Sequence, residues 1–175
     1  MNSIALSASV RRASLGDAAA LADLVNRAYA IEEFFVDGDR TNPGELARMM
    51  ETGTFVVLDQ TSTAGSLAAA VYVESRGSFP RPQAAGWLGM LSVRPELQGA
   101  GLGRRLVGIA EGLCEAAGAR EMRLRIINLR EELGRWYRSL GYREIGTSPY
   151  EHRATKRPCH FVEMAKPLRS LAAAA

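Results

Sequence analysis

The chain has 175 residues, of which 47% are hydrophobic and 23% charged, which is the composition of an ordinary globular protein with its own core. Its net charge of +3 comes from scattered basic residues, which argues against a nucleic-acid-binding protein. Two cysteines are too few for a disulfide framework, and the N-terminal stretch is neither a signal peptide nor a membrane span, so a cytoplasmic protein is expected.

Hydrophobic periodicity predicts, in chain order, a strand, two helices, three strands, a helix, a strand, a helix and two strands. The expected positions are strand 10–13, helix 14–29, helix 42–53, strands 54–59, 67–74 and 87–93, helix 102–118, strand 122–126, helix 133–140, and strands 142–145 and 160–165. Surface loops are expected over 60–65 and 76–83.

Local signals mark the ends of the first two helices. Ser14, with Asp17 three residues later, is typical of a helix start with a capping hydroxyl and an acid in the first turn. Asn42 and Pro43 predict the cap and the first residue of the second helix. Gly53 is expected to end that helix.

Three glycines at alternate positions, Gly99, Gly101 and Gly103, lie between the sixth predicted element and the helix that follows it. The free N–H groups of a first helical turn point the same way, and the helix dipole adds partial positive charge there. Arg104 and Arg105 add formal positive charge. The stretch therefore predicts a site for a phosphorylated ligand, with a purely structural turn as the alternative.

The spacing of this loop excludes two common phosphate motifs. A Walker loop needs Lys-Ser or Lys-Thr after its last glycine, where this chain has two arginines. A dinucleotide fingerprint needs G-x-G-x-x-G and an acidic ribose partner, but the loop reads G-x-G-x-G and the next strand carries Arg125 and Asn128. Instead Gln98, Gly101 and Gly103 match the pattern Q/R-x-x-G-x-G/A, and the stretch resembles the acyl-CoA loop of the GNAT N-acetyltransferase superfamily.

The order of the predicted elements is also that of the GNAT fold, so the resemblance covers about residues 10–168. It implies an α/β (α+β) fold: a central mixed, mostly antiparallel sheet of about six or seven strands flanked by about four helices, with strands 4 and 5 parallel and splayed. It further implies a single acetyltransferase domain over residues 1–168, followed by a frayed tail over 169–175.

The resemblance implies acetyl-CoA as the cofactor. The backbone of the strand end would bind the pantetheine arm, and the amides of residues 99–104 would hold the pyrophosphate, flanked by Gln98 and Arg104. The predicted cofactor-binding residues are Leu91, Ser92, Val93, Gln98, Gly99, Ala100, Gly101, Leu102, Gly103, Arg104 and Asn128.

A second stretch, from Asn128 to Tyr142, resembles the other GNAT signature, an Asn at the end of the fifth strand and then a helix with L-Y-x-x-x-G-F/Y. Here Trp136 replaces the Leu, and two extra residues separate Asn128 from Tyr137. By resemblance Tyr137 protonates the departing thiolate, and a phenol with a pKa of about 10 keeps its proton at neutral pH. The alternative is that Tyr137 packs beside Trp136 with its hydroxyl in water.

In GNAT folds the connection between the first two helices commonly borders the acceptor cleft. Here it carries Phe34, Phe35, Asp37 and Asp39, which are the predicted substrate-binding residues. Carboxylates beside aromatic rings suit a cationic amine, through ion pairs and cation–π contacts. Ordinary core packing and a solvated loop are the alternative interpretation.

The general base is left unassigned. An amine with a pKa of about 10.4 must lose a proton before it attacks a thioester, at a cost of about 4–5 kcal/mol at pH 7. The candidates are Glu32, Glu33, Glu74 and His160, and a water relay is an equal alternative.

Together these features predict an acetyl-CoA-dependent N-acetyltransferase that acetylates a primary amine of a small molecule or peptide directly, in a ternary complex. An acyl-CoA-sensing module without activity and an interaction protein with a structural glycine loop are the alternatives. No metal, nucleic-acid partner or membrane partner is expected. A homodimer and a longer acyl group are left open.

Overall fold

The computed structural model describes residues 9–60, 65–75 and 84–169, and the order of its helices and strands is the predicted one. The strands are β1 (Val10–Arg12), β2 (Thr54–Asp59), β3 (Leu67–Glu74), β4 (Ala85–Val93), β5 (Glu121–Ile127), β6 (Arg143–Pro149) and β7 (His160–Pro167). The helices are α1 (Ala18–Tyr29), α2 (Pro43–Thr52), α3 (Leu102–Ala116) and α4 (Glu131–Ser139). The predicted loop over 76–83, the centre of the 60–65 loop and the tail from residue 170 onward lie outside the described residues.

The seven described strands form one mixed sheet in the order β1-β2-β3-β4-β5-β7-β6. Strands β4 and β5 are parallel, with Ala85 opposite Glu121 and Trp87 opposite Arg123. The pairs β1–β2, β2–β3, β5–β7 and β6–β7 are antiparallel. The predicted fold class is therefore confirmed, while the splay of β4 from β5 stays a prediction.

By its contacts the chain divides into two compact units. The first contains Met1–Ile31, Asp39–Val73 and Met90–Ala110, and the second contains Glu32–Gly38, Glu74–Gly89 and Glu111–Ala175. Each unit is described by itself below. The single domain over residues 1–168 stays a prediction.

The core of the first unit joins α1 and α2 to strands β2 and β3. Helix α1 buries Leu21 and Leu24, which lie on one face because they are three residues apart. Leu46 of α2 and the alternate residues Phe55 and Val57 of β2 complete this contact. Burial of such side chains contributes about 1.5–3 kcal/mol each, so this packing orders the unit.

The two ends of α2 have different causes. The Asn42 side chain accepts a hydrogen bond from the Glu45 N–H at 3.0 Å, and Pro43 is the first helical residue, which confirms the predicted cap. Gly53 follows the helix as predicted, but with an extended φ of −146° and not in the left-handed region. A Cβ at Gly53 would overlap the ring and hydroxyl of Tyr72, so a close tertiary approach requires the glycine.

A network of charged side chains ties β1 to β2. Arg11 pairs with Asp17 at 2.8 Å and with Asp59 at 2.9 Å. The Asp17 carboxylate also accepts hydrogen bonds from the N–H and the hydroxyl of Ser14, so this hydroxyl donates at the helix start. Hydrogen bonds from Arg11 hold the pKa of both carboxyl groups below the ordinary value for aspartate.

The core of the second unit covers one face of β5 and β7. Met122 and Leu124 of β5 and Met164 of β7 are buried on this face, with Leu124 directly opposite Met164. A Cβ at Gly86 would overlap the sulfur of Cys114 and lie 2.7 Å from its Cβ, so α3 can approach β4 closely only at a glycine. Burial raises the pKa of the Cys114 thiol to about 11.

Strand β6 is longer than predicted. The sequence from Gly146 to Pro149 has the composition of a turn, and the predicted strand ended at residue 145. These residues nevertheless pair with β7 after an irregularity between Glu144 and Gly146, because β7 offers a continuous partner. Among the described helices, none combines the length and the apolar character that crossing a bilayer requires.

Candidate active site

The last residues of β4 contain a strained backbone position. Met90 has a φ of 48°, which is uncommon for a residue other than glycine and marks functional sites when tertiary structure maintains it. The buried Ser92 hydroxyl donates to the Met90 carbonyl at 3.1 Å. Leu91 and Val93 are half-buried. Side chains alternate along a strand, so Leu91 and Val93 point to one face and Ser92 to the other. A ligand beside this strand would therefore meet the backbone together with Leu91 and Val93.

A buried arginine anchors the end of this strand. Arg94 is 7% exposed, and its Nε donates to the Leu67 carbonyl at 2.7 Å. A terminal nitrogen donates to the Ser66 hydroxyl at 2.8 Å and lies 3.4 Å from the Asp23 carboxylate. The Arg94 backbone N–H donates to the Ala68 carbonyl at 3.0 Å. These contacts fix the point at which β4 enters the glycine loop.

The glycine loop follows a 3-10 turn over Pro95–Leu97. The Gln98 side chain donates back to the Val93 carbonyl at 3.3 Å and so supports the strand end. Gly99 and Gly101 both have a φ of 82°, which side chains with a Cβ rarely adopt. A Cβ built on either glycine meets no atom within 4 Å, so a ligand can reach the backbone at both positions.

The loop ends at the start of α3. The Gly101 carbonyl accepts the N–H of Arg105 at 3.0 Å, and Leu102 is the first helical residue. The N–H groups of residues 102–104 therefore precede the first intrahelical bond and have no acceptor inside the helix. Together with the exposed Arg104 and the open backbone at Gly101, they fit an anionic group such as a pyrophosphate.

In the second unit, Tyr137 lies on the buried face of α4 and is 5% exposed. Its ring packs against Trp136 at 4.7 Å and Tyr142 at 5.5 Å between centroids. Gly134 shares the buried face, where an added Cβ would contact the Ile126 side chain at 3.4 Å. The Tyr137 ring is therefore held in a packed environment beside Trp136. The catalytic role of its hydroxyl stays a prediction.

Asn128 joins the end of β5 to the start of β7. Its side-chain oxygen accepts the His160 N–H at 2.8 Å, and its own N–H donates to the His160 carbonyl at 3.0 Å. The carboxamide oxygen thus extends the strand pairing by one residue. A cofactor contact through Asn128 stays a prediction.

The segment proposed for the acceptor has one buried and one accessible ring. Phe35 is fully buried in a cluster with Val36, Ile127 and Phe161. Phe34 is 42% exposed, and the Arg157 guanidinium lies 5.9 Å from its ring centroid. Phe34 is therefore the ring of this pair that a solvent-borne acceptor can reach.

Basic residues of the β6–β7 loop hold this segment. Lys156 pairs with Asp37 at 2.6 Å and donates to the Glu33 carbonyl at 2.8 Å. Its backbone N–H donates to the Phe35 carbonyl, and Arg153 donates to the Asp37 carbonyl at 3.3 Å. Asp37 is exposed, and so is Asp39, which belongs to the first unit.

The four candidate bases differ in their surroundings. Glu32 is buried and pairs with Arg130 at 3.3 Å. Glu33 and His160 are exposed, and Glu74 is the buried last residue of β3. None of these environments singles out a base, and the assignment stays open.

A sequence model of the acetyltransferase (GNAT) domain matches residues 51–144, which is more than half of the chain. The chain belongs to the GNAT acetyltransferase family. The GNAT match includes β4, the glycine loop, α3 and α4. A search of curated protein sequences returns no match.

Solved structures share the GNAT fold. The ribosomal-protein-S18-alanine N-acetyltransferase from Escherichia coli is 20% identical, with a TM-score of 0.74 over 95% of this chain and 97% of that one. A phosphinothricin acetyltransferase from Sinorhizobium meliloti, in complex with acetyl-CoA, is 20% identical, with a TM-score of 0.72 over 95% and 92%. The yncA protein from Salmonella typhimurium, with its cofactor acetyl-CoA, is 21% identical, with a TM-score of 0.70 over 95% and 97%.

The cofactor of the GNAT family is acetyl-CoA, and two of these structures hold it. Two features at the end of β4 in this GNAT chain were not predicted from the sequence. The strain at Met90 has no local sequence signature, because Met90 lies inside an ordinary apolar run. The sequence contains a weak signal for Arg94, an arginine between a strand and Pro95. Its partners cannot be predicted from this signal, because they are distant in sequence.

Proposed function

We propose that this protein transfers an acetyl group from acetyl-CoA directly to a primary amine of a small molecule or peptide, with donor and acceptor bound together. The observation that carries the proposal is the loop before α3. Its left-handed Gly99 and Gly101 leave the backbone open beside the first turn of α3, whose N–H groups have no acceptor inside the helix. Such an arrangement suits a pyrophosphate, because free N–H groups and the helix dipole both favour an anion there.

The residues that would hold the cofactor follow from the same geometry. Amides of residues 99–104 would bind the pyrophosphate, with Arg104 adding charge and Gln98 supporting the strand end. The backbone of Leu91, Ser92 and Val93 would bind the pantetheine arm as an added strand. When bound, acetyl-CoA supplies an acetyl thioester whose sulfur leaves as a thiolate.

Tyr137 is proposed as the proton donor. Its phenol keeps its proton at neutral pH and can release it to the departing sulfur as the new carbon–nitrogen bond replaces the carbon–sulfur bond. The proton lost by the acceptor nitrogen goes to water or to a base not yet assigned. The close packing of the ring supports this role, because a general acid must be held in a defined orientation.

The acceptor is proposed to lie beside the connection between α1 and α2, near Phe34 and Asp37. Asp39 and the buried Phe35 complete the predicted set, with Phe35 supporting Phe34 from the core at 5.0 Å between ring centroids. An exposed carboxylate and an accessible ring favour an amine that carries a second positive charge.

The decisive experiment is the variant Tyr137→Phe, which keeps the ring and removes the donor. We expect kcat to fall by about tenfold to a thousandfold with an unchanged KM for acetyl-CoA. Tyr72→Phe is the matched control, since Tyr72 is also a buried tyrosine. The Tyr72 hydroxyl forms a hydrogen bond with the Thr52 hydroxyl at 3.0 Å. A wild-type kcat for Tyr137→Phe, when chemistry limits the rate, would exclude the phenol as the acid.

Two measurements separate this function from its alternatives. Titration calorimetry with acetyl-CoA distinguishes a cofactor site from a structural loop, which would release no binding heat. Thioester turnover with a panel of amines distinguishes an enzyme from an acyl-CoA sensor, which would bind without transfer.

A further inference from the structure

A cluster of charged and aromatic residues in the second unit packs against Tyr137. It consists of Glu111 from α3, Tyr142 just before β6, and Lys166 from β7. We propose that Tyr142, fixed by Glu111 and Lys166, is a positioning residue that holds the Tyr137 ring in the orientation for proton donation. This inference rests on the proposed role of Tyr137.

Tyr142 is held at both ends. Its hydroxyl donates to Oε1 of Glu111 at 2.9 Å, and its backbone N–H donates to the Tyr137 carbonyl at 3.1 Å. The side chain is 1% exposed. Burial and the neighbouring Glu111 raise the pKa of Tyr142, so its hydroxyl remains a donor. The ring therefore has one defined position.

Lys166 in turn fixes Glu111. Its Nζ lies 2.9 Å and 2.8 Å from the two carboxylate oxygens, and it also sits 5.6 Å from the centroid of the Tyr142 ring. An ammonium on both carboxylate oxygens restrains Glu111 beside the tyrosine whose hydrogen bond it accepts. The three side chains thus form one rigid support.

The support acts on Tyr137 through ring contact. The rings of Tyr137 and Tyr142 meet edge to face, 5.5 Å apart at 75°, and Trp136 packs edge to face against Tyr137 at 67°. If the Tyr142 ring moves, Tyr137 gains room to rotate, and a misoriented acid is a poor catalyst.

Packing alone does not account for these polar groups. A phenylalanine, which the family pattern also admits at the Tyr142 position, would fill the same space. Burying the Tyr142 hydroxyl costs desolvation energy that its hydrogen bond only offsets, and a partly exposed pair such as Glu111–Lys166 adds little net stability. Their presence beside the proposed acid is consistent with a gain in orientation.

The first test is Tyr142→Phe, which keeps the ring and removes its bond to Glu111. We expect kcat to fall by about tenfold while the KM for acetyl-CoA changes by less than about twofold. Tyr72→Phe again serves as the control, with a comparable loss of melting temperature and an unchanged kcat. A wild-type kcat for Tyr142→Phe would overturn the inference.

A double-mutant cycle tests whether Tyr142 acts through Tyr137. In a Tyr137→Phe background, Tyr142→Phe should cause no further loss of kcat, because there is no proton donor left to orient. Two independent losses that multiply would show that Tyr142 acts in another way, and the inference would fail while the role of Tyr137 stands.

A measurement that needs no acceptor amine separates this inference from the proposed function, because it does not depend on catalysis. With 3-fluorotyrosine at position 137, ¹⁹F NMR should show one dominant ring orientation in the otherwise unaltered protein. Two orientations in exchange are expected after Tyr142→Phe or, should that variant fold poorly, after Glu111→Met. An unchanged single signal in both variants would overturn the positioning role, whatever reaction the protein catalyses.

Discussion

Gly101 illustrates how a single residue can determine whether the cofactor binds. Its left-handed φ and open surroundings leave the backbone accessible at the start of α3. Gly101→Glu should place an anion in this space and abolish acetyl-CoA binding in calorimetry while the protein stays folded. The left-handed φ adds about 1–2 kcal/mol of strain, which Gly101→Ala measures without the charge.

Gly108→Glu is the control for that variant. Gly108 lies inside α3, the helix that follows Gly101, and an added Cβ there meets no atom within 4 Å, but Gly108 is not part of the glycine loop. It should bind acetyl-CoA with wild-type affinity. Unchanged affinity in a folded Gly101→Glu protein would remove the pyrophosphate interpretation.

Asp37 is the residue through which acceptor charge can be tested. Its pair with Lys156 is exposed on both sides, and such pairs are worth no more than about 1 kcal/mol, so a cationic acceptor can displace the lysine. Asp37→Asn, or Asp39→Asn, should raise the KM of a cationic amine by about fivefold. Lys156→Met should lower that KM, and the KM for acetyl-CoA should not change.

The Asp37 and Lys156 variants should change the acceptor KM in opposite directions, which makes this test specific. A general disturbance of the segment would raise the acceptor KM in both. If an unbiased panel returns an anionic acceptor, or if none of the variants changes its KM, this segment does not select for charge.

The close contact between β4 and α3 depends on the absence of a side chain at Gly86. Gly86→Ala would place a methyl group against the Cys114 side chain, and such overpacking costs about 1–3 kcal/mol. The free energy of unfolding, measured in urea, should fall by that amount. Adding Cys114→Ala makes room for the methyl group and should restore part of the loss.

Gly112→Ala is the matched substitution, placed on α3, the helix that carries Cys114. An added Cβ there meets no atom within 4 Å, so the higher helix propensity of alanine should raise stability by about 0.5–1 kcal/mol. A loss of stability in this variant, or none in Gly86→Ala, would contradict the account of close helix–strand packing.

At the scale of the whole molecule, the Arg11 network makes stability depend on pH. The pKa values of Asp17 and Asp59 are lower in the folded protein than in the unfolded chain, where they are about 4. This stabilisation is therefore complete above about pH 4 and is lost as the pH falls through the lower folded values. Because the network is partly exposed, its contribution is about 1 kcal/mol.

The variant Asp17→Asn tests this linkage. It should reduce the free energy of unfolding at pH 7 and flatten its decline below pH 4, measured by urea unfolding across a pH series. Glu51→Gln, on the exposed side of α2, is the control and should follow the unaltered protein. A parallel decline for Asp17→Asn would mean that other groups dominate acid unfolding.

Much of the fold follows from local patterns in the sequence. Apolar periodicity predicts the order of elements, because helix and strand faces repeat every 3.6 and two residues whatever the tertiary context. The cap at Asn42 is predicted for the same reason, since donor and acceptor are three residues apart. The loop with Gly99 and Gly101 is predicted because its glycines, and not distant partners, permit its backbone.

Tertiary structure alone decided the features that depend on distant residues. The sequence predicts Gly53 as the end of a helix, but the close approach of Tyr72 is what requires a glycine there. Arg94 donates to carbonyl groups of β3. The length of β6 is set by β7, which overrides the turn composition of its last residues. Tyr142 bonds Glu111 across 31 positions of sequence, and no local spacing encodes this pairing because only the folding of the chain brings the two side chains together.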